Sequence, residues 1–334
     1  MQNKRNLATL GSVIINGAFI LLKKYKKHIF VAFVALIGLS LFVFSYLNHP
    51  KRYAVFAGYN ADGTIHPYVI TYLKGLKEVS DGIVYIADSA LKPEEEEKLK
   101  PLTIHYENIR HQEYDWGSYK RGFNWLKENG YLEKADELIF ANDSCYAPIT
   151  SFKPMFKTMD KRKDLDFWGD LKNIIFSHHL QSYFFVFRKK IIQSEEFAKF
   201  LNSVTHQDNQ KAYILKYEVR LTPYLEKLGY KWDTFMPYDD MILLFDPNKT
   251  TYPLTLIKKY NHQFIKRRIF TIGLPSYDDL SLLLRYLHKV YPERYQEIIT
   301  EIPPAYIPKD LQGTALIEPT YLTPQEGKPH ATFE

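Results

Sequence analysis

Residues 53–87 read YAVFAGYNADGTIHPYVITYLKGLKEVSDGIVYIA, and this stretch decides the fold. Its first six residues are a continuous apolar run bounded by a turn sequence, the pattern of a strand covered on both faces. Between His66 and Val79, the residues Tyr68, Tyr72, Leu73, Leu76 and Val79 recur at helical spacing and make one apolar face. Residues 83–87 (IVYIA) repeat the strand pattern. Strand, helix, strand in this rhythm predicts a mostly parallel sheet with helices on both faces, an α/β fold. Further along, residues 92–100 form a charged helix whose acid run, Glu94 to Glu97, reads as a solvated face. LIFA at 138–141 and YFFVFR at 183–188 read as strands, and 195–201 as a helix. Residues 217–229 form an amphipathic helix closed by a C-capping glycine. A helix over 280–291 precedes a tail from Pro303, rich in Pro, Gly and Thr, that is expected to be extended or disordered. No fixed-period repeat is present.

The 334 residues are 46% hydrophobic, enough for one core of roughly 200 to 250 residues with appendages. Of the 44 Lys and Arg, eight fall in residues 1–52, which contain no Asp or Glu, leaving 36 basic residues against 38 acidic ones in the body. The positive charge therefore belongs to the N-terminal segment. Its natural partner is an anionic membrane surface, and nothing in the pattern points to nucleic acid. Cys145 is the only cysteine, which excludes an intrachain disulfide and a Cys-rich zinc site.

Residues 29–47, IFVAFVALIGLSLFVFSYL, carry no charge over 19 positions, close to the roughly 20 that span a hydrocarbon core. We read them as an N-terminal transmembrane or membrane-associated helix. The run is longer than a signal-peptide core and no small-x-small cleavage site follows it. Lys23, Lys24, Lys26 and Lys27 outweigh Lys51 and Arg52, so the positive-inside rule alone puts the body outside the cell. A second apolar stretch, LGSVIINGAFILL at 10–22, could pair with the first as a shallow hairpin or lie in the interface, leaving the body on the cytoplasmic side. The chain thus divides into a basic, apolar anchor segment at 1–52, a body at 53–275, and a C-terminal helix with a Pro-rich tail at 276–334.

Three polar clusters follow strand ends, where loops and helix N-termini offer backbone donors to a ligand. Gly58-Tyr59-Asn60-Ala61-Asp62-Gly63 suits a nucleotide base or ribose through Tyr59 and Asp62, although Asn-x-Asp-Gly is equally an ordinary turn. In the second, residues 114–122 (YDWGSYKRG), Asp115, Gly117 and Lys120 could hold ribose and diphosphate by backbone N–H groups and charge. The same residues also suit a helix start capped by Asp115, with Tyr114 and Trp116 packed beside it. The third is Asn142-Asp143-Ser144-Cys145-Tyr146, in which Asp143 could hold Mg²⁺ or Mn²⁺ against diphosphate oxygens, or merely form a turn.

These clusters are followed in order by Asp166-Phe167-Trp168-Gly169-Asp170, Leu180-Gln181-Ser182-Tyr183-Phe184, Tyr217-Glu218-Val219 with Leu221-Thr222, and Phe264-Ile265-Lys266-Arg267. The ordered set resembles the rhamnan synthesis F family from residue 53 to about 270. The resemblance implies a glycosyltransferase of polysaccharide and lipopolysaccharide O-chain assembly, with a GT-A-like (Rossmann-like) domain. It implies deoxythymidine-diphosphate-rhamnose as donor and a lipid-linked glycan as acceptor. A cytoplasmic nucleotide-sugar then favours the bacterial inner membrane with the body on its cytoplasmic face. The sequence departs from the family in Gly58-Tyr59-Asn60, where His before Tyr-Asp is usual, in Ala147 for Gly, and in Trp116 for Phe.

By analogy with inverting GT-A transferases, the acid near the start of the late helix, Glu218, is the candidate general base, with Asp170 as substitute. An exposed helix-start acid favoured by the dipole is the structural alternative for Glu218. His179, Gln181 and Ser182 are candidate sugar or acceptor contacts, and His178-His179 lacks zinc-ligand spacing. The competing readings are a non-catalytic membrane-associated glycan-assembly protein with the same fold, and a phosphoryl hydrolase using Asp143 and Asp170.

Overall fold

The computed structural model describes residues 49–236, 249–270 and 279–312, together with positions 34, 36, 38 and 40. From Lys51 onward the described residues form one compact unit. Eleven strands are described: β1 (Arg52–Gly58), β2 (Gly82–Ala87), β3 (His105–Asn108), β4 (Glu137–Asn142), β5 (Cys145–Tyr146), β6 (Phe167–Gly169), β7 (Lys172–Asn173), β8 (His179–Leu180), β9 (Phe184–Arg188), β10 (Trp232–Thr234) and β11 (Ile265–Lys266). Seven of them form the central sheet in the order β10-β6-β9-β4-β1-β2-β3.

As the sequence predicts, β1 lies parallel to both β2 and β4, and β2 parallel to β3. The exception is β9, which runs antiparallel between β4 and β6. The reason is the connection: between β6 and β9 the chain forms only the β7–β8 hairpin and no crossover helix, so it returns antiparallel.

All seven residues of β1 are buried, and they alternate between two cores. Ala54 and Phe56 point to the face covered by α1 (Pro67–Lys77), while Tyr53, Val55 and Ala57 point to the face covered by α3 (Tyr114–Glu128). This double coverage explains the unbroken apolar run read from the sequence. A glycine at position 122 lets α3 approach β1, because a Cβ there would collide with Val55. At the opposite end of the sheet from the site described below, Arg52 pairs with buried Glu137 at 2.6 Å and also with Asp160. Removing one partner of such a buried pair costs about 3–5 kcal/mol.

Three expectations are corrected. Glu95, in α2 (Pro93–Leu99), is buried and not solvated; it accepts from Ile65 N at 2.7 Å and pairs with Lys98. The helix expected over 217–229 begins earlier, with Gln210–Tyr213, passes through a π-helical turn at Ile214–Glu218 and continues as Val219–Lys227 before Gly229 at φ 87°. Glu218 is therefore inside a helical segment, not at its start. Finally, Leu280–Val290 is followed by a second helix, Pro292–Ile299, and Leu283, Leu287, Tyr295 and Ile298 join the core against α1. Residues 304–306 and 309–311 of the expected tail form 3₁₀ turns.

Among the described residues no helix is long and apolar enough to cross a membrane. The apolar runs at 10–22 and 29–47 lie outside the described residues, except for positions 34, 36, 38 and 40, which are helical and exposed.

Candidate active site

A cavity of about 720 Å³ opens where β1, β2 and β4 end, lined there by Gly58, Tyr59, Asp88, Asn142, Asp143 and Ser144. Its other walls come from α3, from the β7–β8 hairpin, from the π-helical turn and from the segment after β11. This is the carboxyl edge of the parallel strands, the edge at which open α/β sheets bind ligands.

One wall gathers acids. Asp115, in the first turn of α3, accepts from its neighbour Trp116 N at 3.1 Å through one oxygen and from Asn142 Nδ2 (3.0 Å) through the other, which also lies 3.3 Å from Ser182 Oγ. Burial pushes its carboxyl up to about 6, with the Glu218 charge adding to the shift. Ser182 Oγ and N both bond Glu218 Oε2, so Asp115 and Glu218 flank a single hydroxyl. Glu218 reaches the cavity because the π-helical turn adds a residue to the helix, a feature frequent at functional sites. Burial opposes its ionisation, yet contacts with His179 and Ser182 and the charge of Lys266 outweigh it and hold the carboxyl below its usual range. Its side chain is 17% exposed, and Oε1 faces His179 Nε2 at 3.6 Å.

The facing wall is cationic. Lys266, Arg267 and Arg268 all line the cavity, and Arg110 lies at its rim with its guanidinium 5.1 Å from the Tyr59 ring. Antiparallel pairing of β11 with β5 sets Lys266 opposite Cys145, from where Lys266 Nζ donates to Ser144 Oγ at 3.0 Å. The same Nζ lies 3.9 Å from the centroid of the Tyr183 ring. Burial, with Arg268 adding to it, pulls the Lys266 pKa below the usual lysine value. Arg267 donates to the Asp143 carbonyl at 3.2 Å and its guanidinium covers the Tyr68 ring at 4.5 Å.

Asp143 lies between these walls. One oxygen accepts from Tyr59 N at 2.7 Å, and burial pushes the carboxyl up to about 6 despite Arg267 nearby. A buried carboxyl short of positive charge is a fit for a divalent ion. Among the described residues no group of three or more His, Cys, Asp or Glu could hold a metal, so substrate oxygens would have to supply the remaining ligands.

Of the residues singled out in the sequence, Tyr59, Asp115, Asn142, Asp143, Ser144, His179, Gln181, Ser182 and Glu218 line this one cavity. Four others do not. Asp62 is exposed; it accepts from Thr64 N and Oγ1 within its own turn and lies 3.5 Å from His66 Nε2. Gly117 packs against Glu113 and His111, and Lys120 is bound to Glu113 and to the Val204 carbonyl. Asp170 is buried in the core, where one oxygen accepts from Tyr183 OH at 2.5 Å and lies 2.6 Å from His262 Nε2. It is thus a support beneath Tyr183, whose ring faces Lys266.

Sequence reasoning missed the cations and Asp88. Asp88 accepts from Gln112 N (2.7 Å) and Tyr114 N (3.2 Å), the two residues before and at the start of α3 that adopt left-handed backbone, at φ 58° and 53°. Three consecutive cations at 266–268, directly after the apolar pair Phe264-Ile265, were the available signal for the cationic wall.

The family model of rhamnan synthesis protein F matches residues 83–296. The match begins at β2, later than the resemblance read from the motifs, and extends through most of the C-terminal helix pair. Virulence protein VirA of Vibrio anguillarum is 21% identical over 289 residues, covering 85% of this chain and 90% of that protein. An uncharacterized protein of Sinorhizobium fredii, y4gN, is 24% identical over 170 residues, 49% of this chain; the alignment spans 43% of the Sinorhizobium protein's own length. Among solved structures, a mannosyltransferase from Pyrobaculum calidifontis in complex with GDP-Man and Mn²⁺ aligns at 10% identity over 76% of this chain and 74% of that one, with a TM-score of 0.36. A cytidylyltransferase from Leptospira borgpetersenii aligns at 13% identity over 55% and 75%, with a TM-score of 0.35. The family match spans well over half of the 334 residues, and the chain belongs to the rhamnan synthesis protein F family.

Proposed function

We propose that this protein is a glycosyltransferase with a GT-A-like domain that moves rhamnose or a related sugar from a nucleotide-diphosphate donor to a growing surface polysaccharide or lipopolysaccharide O-chain. The observation that carries the reading is one cavity holding an ionised carboxylate, Glu218, across from a wall of Lys266, Arg267 and Arg268. A nucleotide-diphosphate-sugar needs both halves: cations for its diphosphate and a base for the incoming hydroxyl.

The reaction is an inverting displacement. Glu218 takes the acceptor proton while the acceptor oxygen bonds the anomeric carbon and the diphosphate leaves with the bonding electron pair. Glu218 suits the base role better than Asp115, since both Asp115 oxygens already receive hydrogen bonds while Glu218 Oε1 faces only His179. Asp115 instead orients Ser182 and Asn142. Lys266 and Arg267 offset charge building on the leaving diphosphate, and Tyr59 with Arg110 bounds the nucleoside end. When bound, a Mg²⁺ or Mn²⁺ ion at Asp143 would add to that charge compensation. The donor is deoxythymidine-diphosphate-rhamnose, the acceptor is lipid-linked, and the body works at the cytoplasmic face of the inner membrane, held there by the basic, apolar residues 1–52.

The test is binding of deoxythymidine-diphosphate-rhamnose, against uridine- and guanosine-diphosphate sugars, to the full chain with and without Mn²⁺, comparing wild type with Lys266→Ala. Selective binding that Lys266→Ala removes supports the reading. A folded protein that binds no donor sinks it and leaves a non-catalytic role in glycan assembly.

A further inference from the structure

The β7–β8 hairpin lines the cavity from base to tip through Asn173, Ile175, Phe176 and His179, with Gln181 continuing β8 by donating its N to the Leu171 carbonyl at 3.0 Å. His179 and Gln181 are two residues apart and share the face turned to the cavity, and Asn173 pairs with His179 across the ladder. The ring of His179 is already engaged, between the Ser177 carbonyl and Glu218. The amide of Gln181 is not: in a residue 7% exposed, its Nε2 is buried and has no hydrogen-bond partner among the described residues. A buried amide without a partner is costly, and in a cavity wall the group that offsets it is a ligand oxygen. Rotation about the last side-chain bond exchanges the two ends of the amide within the same volume, which turns the donor to the cavity. Asn173 spends its Oδ1 on Ile175 N at 2.7 Å, which leaves its amide nitrogen for a ligand. Beyond this polar base the tip is apolar: Ile175 is 41% and Phe176 72% exposed, and Phe176 has left-handed backbone at φ 70°, a conformation bulky residues rarely adopt.

The hairpin is fastened to the segment that carries Glu218. Ser177 Oγ donates to the Val219 carbonyl at 3.0 Å, and Leu180 N donates to Thr222 Oγ1 at 3.0 Å. Tip, amides and Glu218 therefore keep one fixed relation, which is what presenting a chosen hydroxyl to a base requires. We infer that the β7–β8 hairpin is the acceptor platform: Gln181 and Asn173 hydrogen-bond hydroxyls at the edge of the acceptor's terminal sugar ring, while Ile175 and Phe176 cover its C–H face. This rests on the transferase reading above and deepens it, because it makes a sugar ring, and not the lipid, the part of the acceptor that is recognised. A pyranose is polar at its edge and apolar on its face, and a pair of amides beside an exposed aromatic matches both. A lipid surface would use the apolar tip but has no use for the two amides. The donor diphosphate is assigned to the cations at 266–268 on the facing wall, which leaves the hairpin side of Glu218 to the acceptor.

The test uses the full chain with Phe176→Ala, which trims an exposed side chain, Phe176→Trp, which keeps an aromatic face, and Gln181→Met, which keeps the volume and removes the amide. Saturation-transfer NMR with the methyl glycosides of rhamnose, mannose, glucose, galactose and N-acetylglucosamine reads binding without turnover. The expected result is saturation of the ring C–H protons of at least one glycoside, with its binding weakened about fivefold in Phe176→Ala and in Gln181→Met and retained in Phe176→Trp. No glycoside bound by wild type, or binding indifferent to either Phe176→Ala or Gln181→Met, overturns the inference. In a transfer assay the same two variants should raise the acceptor KM by a similar factor, with kcat within about twofold and donor affinity unchanged. If Phe176→Ala instead releases the chain from anionic lipid vesicles while glycoside binding stays at the wild-type level, the tip is a membrane contact and the platform is lost. Glycoside binding that follows the expected pattern in a wild type that transfers no sugar leaves the platform standing, and the transferase reading is what has failed.

Discussion

The two walls of the cavity are built in opposite ways. The acidic wall draws Asp115, the pair His179 and Ser182, and Glu218 from three separate segments and joins them by the Ser182 hydrogen bonds and the 3.6 Å contact of His179 with Glu218, so that neither Asp115 nor Glu218 is without a partner. The cationic wall is three consecutive residues, 266–268, carried in by a two-residue strand pairing with β5. A network of that kind fixes geometry to a fraction of an ångström and tunes acidity, which a proton transfer requires. A run of cations supplies charge with less positional demand, which suffices for a diphosphate. The difference teaches that chemistry and binding should separate when each wall is cut.

The largest effect is expected at the acidic wall. Glu218→Gln keeps the shape and the Ser182 contacts but cannot take a proton, and transfer should fall about 10²- to 10⁴-fold with donor binding within a few-fold of wild type. A matching loss of donor affinity, measured by calorimetry, would erase the division between the walls.

Next in size is the reverse cut. Lys266→Ala removes a charge-assisted contact worth about 1.5–3 kcal/mol, so donor affinity should fall roughly 10- to 100-fold. The test is a titration of the same variant over a salt series; unchanged affinity would remove the diphosphate from this wall.

Smaller again is the effect of Asp143→Asn on stability. A carboxyl raised to about 6 by burial favours the folded state at acid pH, and that contribution is lost as pH rises through about 6. The amide removes the penalty, so the variant should melt about 2–4 °C higher near pH 7.5, corresponding to roughly 1 kcal/mol. That gain should shrink as the pH is lowered toward about 4; thermal melts showing the same gain at both ends would contradict the burial argument. The smallest effect belongs to Lys120→Ala. This lysine is bound to Glu113 away from the cavity, so donor affinity should stay within about twofold, and a tenfold loss would extend the cationic wall to α3.

How legible each part was follows from how local its cause is. The run 53–58 revealed β1 because coverage on both faces leaves no polar residue in a strand. Asn142, Asp143 and Tyr59 were legible for a related reason: they lie at or just after strand ends, and parallel strands end at one edge. Asp170 has the same sequence context, directly after β6, yet it turns into the core to bond Tyr183 and His262. Nothing within a few residues of it distinguishes an acid facing a ligand from one facing a buried tyrosine. Glu218 was found by analogy as a helix-start acid, whereas a π-helical turn in mid-segment aims it, and that turn has no reliable local signature. Lys120 and Gly117 went the other way, since two residues along a helix, a rotation of about 200°, carry a side chain from cavity to flank.

By itself the sequence determined the alternation of strand and helix, the side of the sheet at which ligands gather, and the ordered motifs of the family. Those features rest on hydrophobic periodicity and turn chemistry, which act over a few residues. Only the tertiary structure decided which acids face the cavity, that residues 266–268 close it, and that His179 Nε2 meets Glu218. Those pairings join positions tens to more than a hundred residues apart, and they exist because strand order and register, not any local preference, bring the positions together.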